Sequence, residues 1–155
     1  MSAAFQFTAL DPKDFPELDE PQATSATSRW ITADQHPGFP CRVSLQDAQP
    51  GEQVLAISYT HHPSDSPYRA SGPVFIRQGV TQATPAVNEV PDFLNHRVLS
   101  VRAYDAAGMM RDACVVKGSD LVSVLQRMLG DEQIEYLHIH NAGPGCYMCA
   151  VERVI

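Results

Sequence analysis

Two strand-like runs in the last third of the chain constrain its fold more than any other feature. Residues 98–104 and 110–116 flank Asp105-Ala106-Ala107-Gly108, and in the first run Leu99, Val101 and Ala103 alternate with Ser100, Arg102 and Tyr104. Such alternation is typical of strands with one buried and one polar face, and a short connection containing glycine closes a hairpin. The sequence therefore predicts an antiparallel β-hairpin over residues 98–116.

A helix is predicted directly after this hairpin. Ser119 suits the N-cap position, Asp120 suits the first turn, and Gly130 suits the end of the helix. The apolar residues between them recur at helical spacing: Leu121, Val124, Leu125, Met128 and Leu129. We expect a helix over about 119–129 whose apolar face is buried.

Further strand-like runs occupy residues 5–9, 42–45, 54–59, 74–77, 136–140 and 147–154. Strands therefore dominate, with one main helix, which predicts the α+β class and a mainly antiparallel sheet of roughly six to eight strands. A length of 155 residues predicts a single domain. Within residues 1–155, we expect 1–29 to be partly irregular.

Charge and cysteine content exclude some classes of function. Acidic residues outnumber lysine and arginine by 18 to 11, for a net charge of −7, which argues against nucleic acid and anionic membranes as partners. No apolar run approaches the ~20 residues of a membrane span, and residues 1–10 lack the features of a secretory signal. Four cysteines are too few for a disulfide scaffold. We expect a cytoplasmic protein with reduced thiols, or two disulfides if the chain is exported.

A pair of histidines is the most specific local feature. In a strand over 136–140, His138 and His140 face the same way, about 6.5–7 Å apart at Cα. Neutral imidazoles bind Zn, Cu, Fe or Ni, and they also transfer protons. The alternative is a half-solvated strand face without chemistry. A metal site needs further ligands, and the candidates lie beside turns: Cys41, His61, His62 and Cys146.

Arginine and tyrosine residues form a second candidate set. Ser100, Arg102 and Tyr104 share one face of their predicted strand, and the other members lie beside turns: Arg42, Tyr68 and Arg69. Guanidinium groups match carboxylate and phosphate, so these residues predict a pocket for an anionic group. The alternative is a set of internal salt bridges to Asp47, Asp65, Asp105 or Asp112.

Among the cysteines, Cys41 is the candidate nucleophile. It precedes Arg42, whose charge favours the thiolate, and His138 or His140 would be the base. The alternative is an inert buried thiol, the role also expected for Cys114 and Cys149. The spacing Cys146-x-x-Cys149 is a weak zinc signal, because residues three apart on a strand point to opposite faces.

Four separated segments carry a family resemblance. They are residues 38–45, residues 66–73, residues 102–110 and residues 138–146, which include Gly38-Phe39-Pro40-Cys41-Arg42, Pro67-Tyr68-Arg69-Ala70 and His138-Ile139-His140-Asn141. From about Trp30 to the end, the chain resembles a bacterial family known as domain of unknown function 1203. The resemblance implies a bacterial cytoplasmic protein; it carries over no activity, cofactor or catalytic residue.

Three functional hypotheses follow. The first is a small-molecule pocket, binding or enzymatic, that recognises an anionic group through the arginine and tyrosine residues. The second is a metal-binding protein that uses His138 and His140, and the third is a protein-interaction module without chemistry. We expect the candidate residues to converge in one cleft lined by the polar face of strand 98–104.

Overall fold

The computed structural model describes residues 2–21 and 23–155. Met1 and Gln22, which fall in the predicted irregular segment 1–29, lie outside the described residues. The predicted α+β class is confirmed, since the described chain is built from antiparallel strands and one α-helix. The strands divide into two sheets, however, where the sequence predicted one.

The first sheet has five strands. In chain order they are β1 (Phe5–Thr8), β5 (Val98–Tyr104), β6 (Met110–Lys117), β7 (Tyr136–Asn141) and β8 (Tyr147–Arg153). Their spatial order is β1-β8-β7-β5-β6, and every pairing is antiparallel. The predicted hairpin is therefore the β5–β6 pair, and β5 has the bounds that alternation predicted.

The second sheet has three strands paired in chain order: β2 (Ser28–Thr32), β3 (Gln53–His62) and β4 (Ala70–Arg77). Short 3₁₀ turns occupy Pro12–Asp14, Pro16–Asp19, Asp92–Leu94 and Gly118–Asp120. The predicted strand over 42–45 is wrong. The Leu45 N–H donates to the Cys41 carbonyl, and Leu45 has a φ of 56°, so this segment turns back on itself.

The helix α1 (Leu121–Leu129) covers one face of the five-stranded sheet. It follows the turn Gly118–Asp120 directly, so the helical region spans 118–129. Ser119 lies inside that 3₁₀ turn and is not the N-cap, whereas the N–H of Gly130 closes the C-terminus by donating to Gln126. The core between helix and sheet joins alternate β5 residues to the apolar helix face: Leu99, Val101, Ala103, Leu121, Leu125, Met128 and Leu129.

The three-stranded sheet lies against the opposite, polar face of the five-stranded sheet. Apolar residues of β3 and β4 form a second core with Tyr147 of β8. The rings of His61 in β3 and Tyr147 stack with their centroids 5.4 Å apart. His138 and His140 of β7 are therefore buried between the two sheets.

One glycine at the start of the helical region makes a close backbone approach that we expect to be decisive for stability. A Cβ on Gly118 would lie 1.9 Å from the carbonyl oxygen of Leu94. Gly118→Ala should therefore lower the free energy of unfolding by about 1–3 kcal/mol, as overpacking does. Gly143→Ala is the matched control, because a Cβ there meets nothing within 4 Å. Urea unfolding of both variants checks this, and equal midpoints would contradict the close approach.

Candidate metal centre

Three histidines meet between the two sheets. His61 comes from β3, and His138 and His140 come from β7. Each offers one ring nitrogen, and these nitrogens all lie within 4.8 Å of one another. His138 and His140 are buried, whereas His61 is half-buried. We call these three residues the histidine cluster.

Strand register explains why the cluster forms. Side chains of directly paired residues share a face of the sheet, and His138 pairs with Arg102 while His140 pairs with Ser100. Leu137 and Ile139 of β7 take the other face and enter the core with the helix. In β3, the pairing with β4 shifts near the end of the strand, between residues 59 and 62, which is where His61 turns toward β7.

Three ring nitrogens of the cluster are buried without a hydrogen-bond partner among the described residues. They are Nδ1 of His61, Nδ1 of His138 and Nε2 of His140. A buried polar atom left unpaired costs about 1–3 kcal/mol, so buried polar groups nearly always have partners. Three such atoms among the described residues belong to this one cluster.

The tautomer of His140 is fixed by a backbone contact. Its Nδ1 lies 2.9 Å from the carbonyl oxygen of Gly145. A carbonyl only accepts, so Nδ1 carries the proton and donates it, and Nε2 keeps a free lone pair. Histidines that bind metals commonly orient their ring through this kind of second hydrogen bond.

The cluster is uncharged at neutral pH. Burial is the main cause that lowers the pKa of His138 to about 3 and the pKa values of His61 and His140 to about 4. The nearby positive charge of Arg102 lowers all three further. Neutral imidazole is the form that binds a metal ion.

The neighbouring His62 has a different environment. Its Nδ1 lies 2.8 Å from the Tyr68 carbonyl oxygen, and its Nε2 lies 2.6 Å from the Tyr136 hydroxyl. Nδ1 therefore donates a hydrogen bond to the carbonyl, and Nε2 accepts one from the Tyr136 hydroxyl. Both nitrogens are engaged, so His62, a sequence candidate for a metal ligand, instead orients the Tyr136 hydroxyl beside the cluster.

Two of the predicted anion-binding residues lie on the same sheet face as the cluster. Arg102 is half-buried, and its Nε donates to the Ser100 hydroxyl at 3.3 Å. Tyr104 is buried, stacks on His62 with centroids 4.1 Å apart, and meets Tyr68 edge-on at 6.3 Å. The predicted row on β5 and the histidine pair on β7 are thus brought together.

Two other predicted residues lie apart from the cluster. Arg69 is exposed, donates to the Pro63 carbonyl at 2.8 Å and pairs loosely with Asp65 at 3.8 Å. Cys41 is buried, and its sulfur accepts the N–H groups of Ser44 and Arg77. No described contact joins Cys41 to the histidines.

Arg42 lies deeper than the sequence indicated. It is 1% exposed, and its Nε donates to the carbonyl oxygen of Tyr147 at 2.7 Å. Tyr147 in turn contacts all three histidines of the cluster through its ring. Arg42 is therefore linked to the cluster through Tyr147.

Comparison with protein-family models gives a match over most of the chain. The model described as "Protein of unknown function (DUF1203)" matches residues 38–153. This chain belongs to the DUF1203 family. The match includes the whole histidine cluster and Arg42. Comparison with curated proteins and with solved structures gives no match.

Two cavities of this DUF1203 chain reach the cluster, and His61 lines both. One, of about 620 Å³, is also lined by His62, Tyr136 and His138. The other, of about 580 Å³, is also lined by Arg42 and Tyr147. Small molecules in either cavity would contact the cluster.

A third cavity, of about 560 Å³, lies away from the cluster around Asp47 and His96. The buried carboxylate of Asp47 is already paired with Arg97, so this cavity offers no comparable unpaired group. In the part of this DUF1203 chain that is described, no helix has the length and apolar character needed to cross a membrane.

Proposed function

We propose that this protein binds a divalent transition-metal ion through His61, His138 and His140 and presents it to a small molecule. One observation carries the proposal: three buried ring nitrogens without hydrogen-bond partners belong to side chains whose ligand atoms meet within 4.8 Å. Imidazole ligands suit Zn, Cu, Ni and Fe. Zinc sites with three protein ligands keep a position open for water or substrate.

The distances support this proposal. Zn²⁺ binds imidazole nitrogen at about 2.0–2.1 Å, so nitrogens of a tetrahedral site lie about 3.4 Å apart. Nitrogens within 4.8 Å of one another reach that spacing when each ring moves by less than about 1 Å. Such a shift is within the range of small side-chain rotations, and the Gly145 carbonyl already orients His140.

The surroundings favour an anionic ligand at the open metal position. Arg102 places a positive charge beside all three histidines, and this charge would stabilise a hydroxide or a carboxylate bound to the metal. Arg102, Tyr104 and Tyr68 keep their predicted anion-binding role in this proposal. No described contact supports that role for Arg69, and none favours the interaction module.

Metal binding by tag-free protein tests the proposal. After treatment with a chelator, the protein should take up one equivalent of Zn²⁺, Cu²⁺, Ni²⁺ or, in the absence of oxygen, Fe²⁺ by elemental analysis. It should gain about 2.7 kcal/mol in free energy of unfolding at a metal concentration one hundred times the Kd. His140→Ala should bind the metal at least a hundredfold more weakly, because it removes one of three ligands.

His96→Ala is the matched control for this experiment. His96 is an exposed histidine beside Asp47, so its replacement should leave the metal stoichiometry unchanged. The metal proposal is wrong if wild-type protein binds none of the four ions, or if His140→Ala and His96→Ala bind them equally well.

A further inference from the structure

The buried guanidinium of Arg42 has unusual partners for a charged group. Its Nε and Nη1 donate to the carbonyl oxygens of Tyr147 and Pro40, and the Cys146 sulfur lies beside it. These partners engage only part of a guanidinium that carries five N–H donors. Burial lowers the pKa of Arg42, and the neighbouring Cys146 and Cys41 sulfurs oppose that shift only in part.

No carboxylate neutralises this charge among the described residues, because none lies within 4.0 Å of Arg42. Arg97, which lines the same cavity, is paired with Asp47 through both terminal nitrogens. Buried charges are normally paired, since the desolvation of an unpaired one costs several kcal/mol. Arg42 therefore has no carboxylate partner in this cavity, and its guanidinium lies over the Phe75 ring, 5.6 Å from the centroid.

The cavity that Arg42 borders has the size and lining of a small-molecule site. Its volume of about 580 Å³ falls within the range of ligand pockets. Apolar and aromatic residues dominate the wall, including Pro40, Pro73, Phe75 and Tyr147. None of its described lining residues is Asp or Glu, although the chain has 18 acidic residues against 11 lysines and arginines.

We infer that this cavity binds a small monocarboxylate with an apolar body, whose carboxylate contacts the Arg42 guanidinium. One buried guanidinium without a carboxylate partner matches one carboxylate, whereas a phosphate dianion would need more donors than this mostly apolar wall offers. His61 lines the same cavity. The apolar end of the monocarboxylate would then reach the open metal position. This second contact rests on the proposed metal site, whereas the contact with Arg42 does not.

Titration of chelator-treated protein with benzoate and with butanoate tests the inference. Calorimetry should give saturable binding of at least one of the two, with neutral benzamide and inorganic phosphate binding at least tenfold more weakly. Arg42→Met should weaken carboxylate binding more than tenfold, because it removes a charge-assisted hydrogen bond. Arg69→Met is the matched control: it removes the same charge from an exposed site and should bind as wild type does.

A second measurement keeps the test decisive if Arg42→Met fails to fold. The Nε–H signal of Arg42 in ¹⁵N-labelled wild-type protein should shift as the tighter-binding carboxylate is added. The inference is overturned if neither carboxylate binds wild type, if phosphate binds more tightly than both, or if folded Arg42→Met binds as wild type does. An unchanged Arg42 signal at saturation would overturn it as well.

Cys146 provides a rival explanation, because its sulfur lies beside Arg42 and is a partner for the guanidinium without any ligand. Cys146→Ser separates the two cases. Unchanged carboxylate binding in wild type and Cys146→Ser supports the inference. Binding that is absent from wild type and appears only in Cys146→Ser overturns it.

Failure of this inference is distinguishable from failure of the metal proposal. His138 does not line the 580 Å³ cavity, so His138→Ala should lose metal binding and keep carboxylate binding. Arg42→Met should do the reverse.

Discussion

Leu125→Asp should lower the free energy of unfolding by about 3–5 kcal/mol, because it buries a carboxylate without a partner. Leu125 is fully buried between α1 and the five-stranded sheet. Val122→Asp introduces the same carboxylate three residues earlier, at a position that is 40% exposed. There it lies in the first turn of α1, where a negative charge is mildly favourable, so its effect should stay within about 0.5 kcal/mol.

Urea unfolding of the two variants measures this difference directly, since a change in midpoint at constant slope is a change in stability. Equal midpoints for Leu125→Asp and Val122→Asp would mean that α1 does not bury the face that its periodicity predicts.

The elements that sequence reasoning located well are those determined by nearby residues. Strand β5 alternates between buried and half-buried residues from Leu99 to Ala103 and ends at the turn 105–108, so the local pattern locates it. Helix α1 combines apolar residues at helical spacing with Gly130 after its last residue. In both cases the local pattern and the tertiary contacts favour the same structure.

Distant partners explain the errors. The segment 42–45 resembles a short strand, yet the backbone of Arg42 bonds to two separate parts of the chain. Its N–H donates to Phe75, and its carbonyl accepts from Leu10. The division into two sheets has the same origin. Alternation shows that a segment is a strand, but it does not show which distant strand will pair with it.

In the candidate site too, the local pattern located some residues, and the pairing of distant strands determined the rest. Alternation placed His138 and His140 on one face and Arg102 on one face of its own strand, and the register of β5 with β7 joined the two rows. His61 was one of several candidate ligands, because the irregular end of β3 hides its direction from alternation. Cys41 stood out beside Arg42, but it lies in the core, and its role as a nucleophile stays a prediction.

The histidine cluster should make the metal-free protein sensitive to mild acid. The pKa of His138 is about 3 in the folded protein, against about 6.5 for an unfolded histidine. As the pH falls below 6.5, the unfolded state takes up a proton that the folded state does not. The free energy of unfolding should then decrease by about 1.4 kcal/mol per pH unit for this histidine.

The free energy of unfolding should keep decreasing until the pH approaches the folded pKa of about 3. Below that pH His138 is protonated in both states, and the stability that its low folded pKa gives at neutral pH has been lost. Several neighbours of His138 resist its protonation: the charge of Arg102 and any proton taken up by His61, His62 or His140. His138→Gln removes the contribution without adding a charge. Between pH 6.5 and 5, the stability of this variant should therefore fall less steeply than that of wild type.

Urea midpoints at pH 7, 6 and 5 for wild type and His138→Gln provide the measurement, with chelator present throughout. Carboxylates protonate in both proteins alike, so the difference between the two slopes isolates His138. In a separate series without chelator, saturating Zn²⁺ should steepen the dependence of wild-type stability on pH, because protons compete with the metal for the same nitrogens. Parallel slopes would show that His138 is protonated as readily in the folded protein as in the unfolded chain, which a ring enclosed between two sheets does not allow.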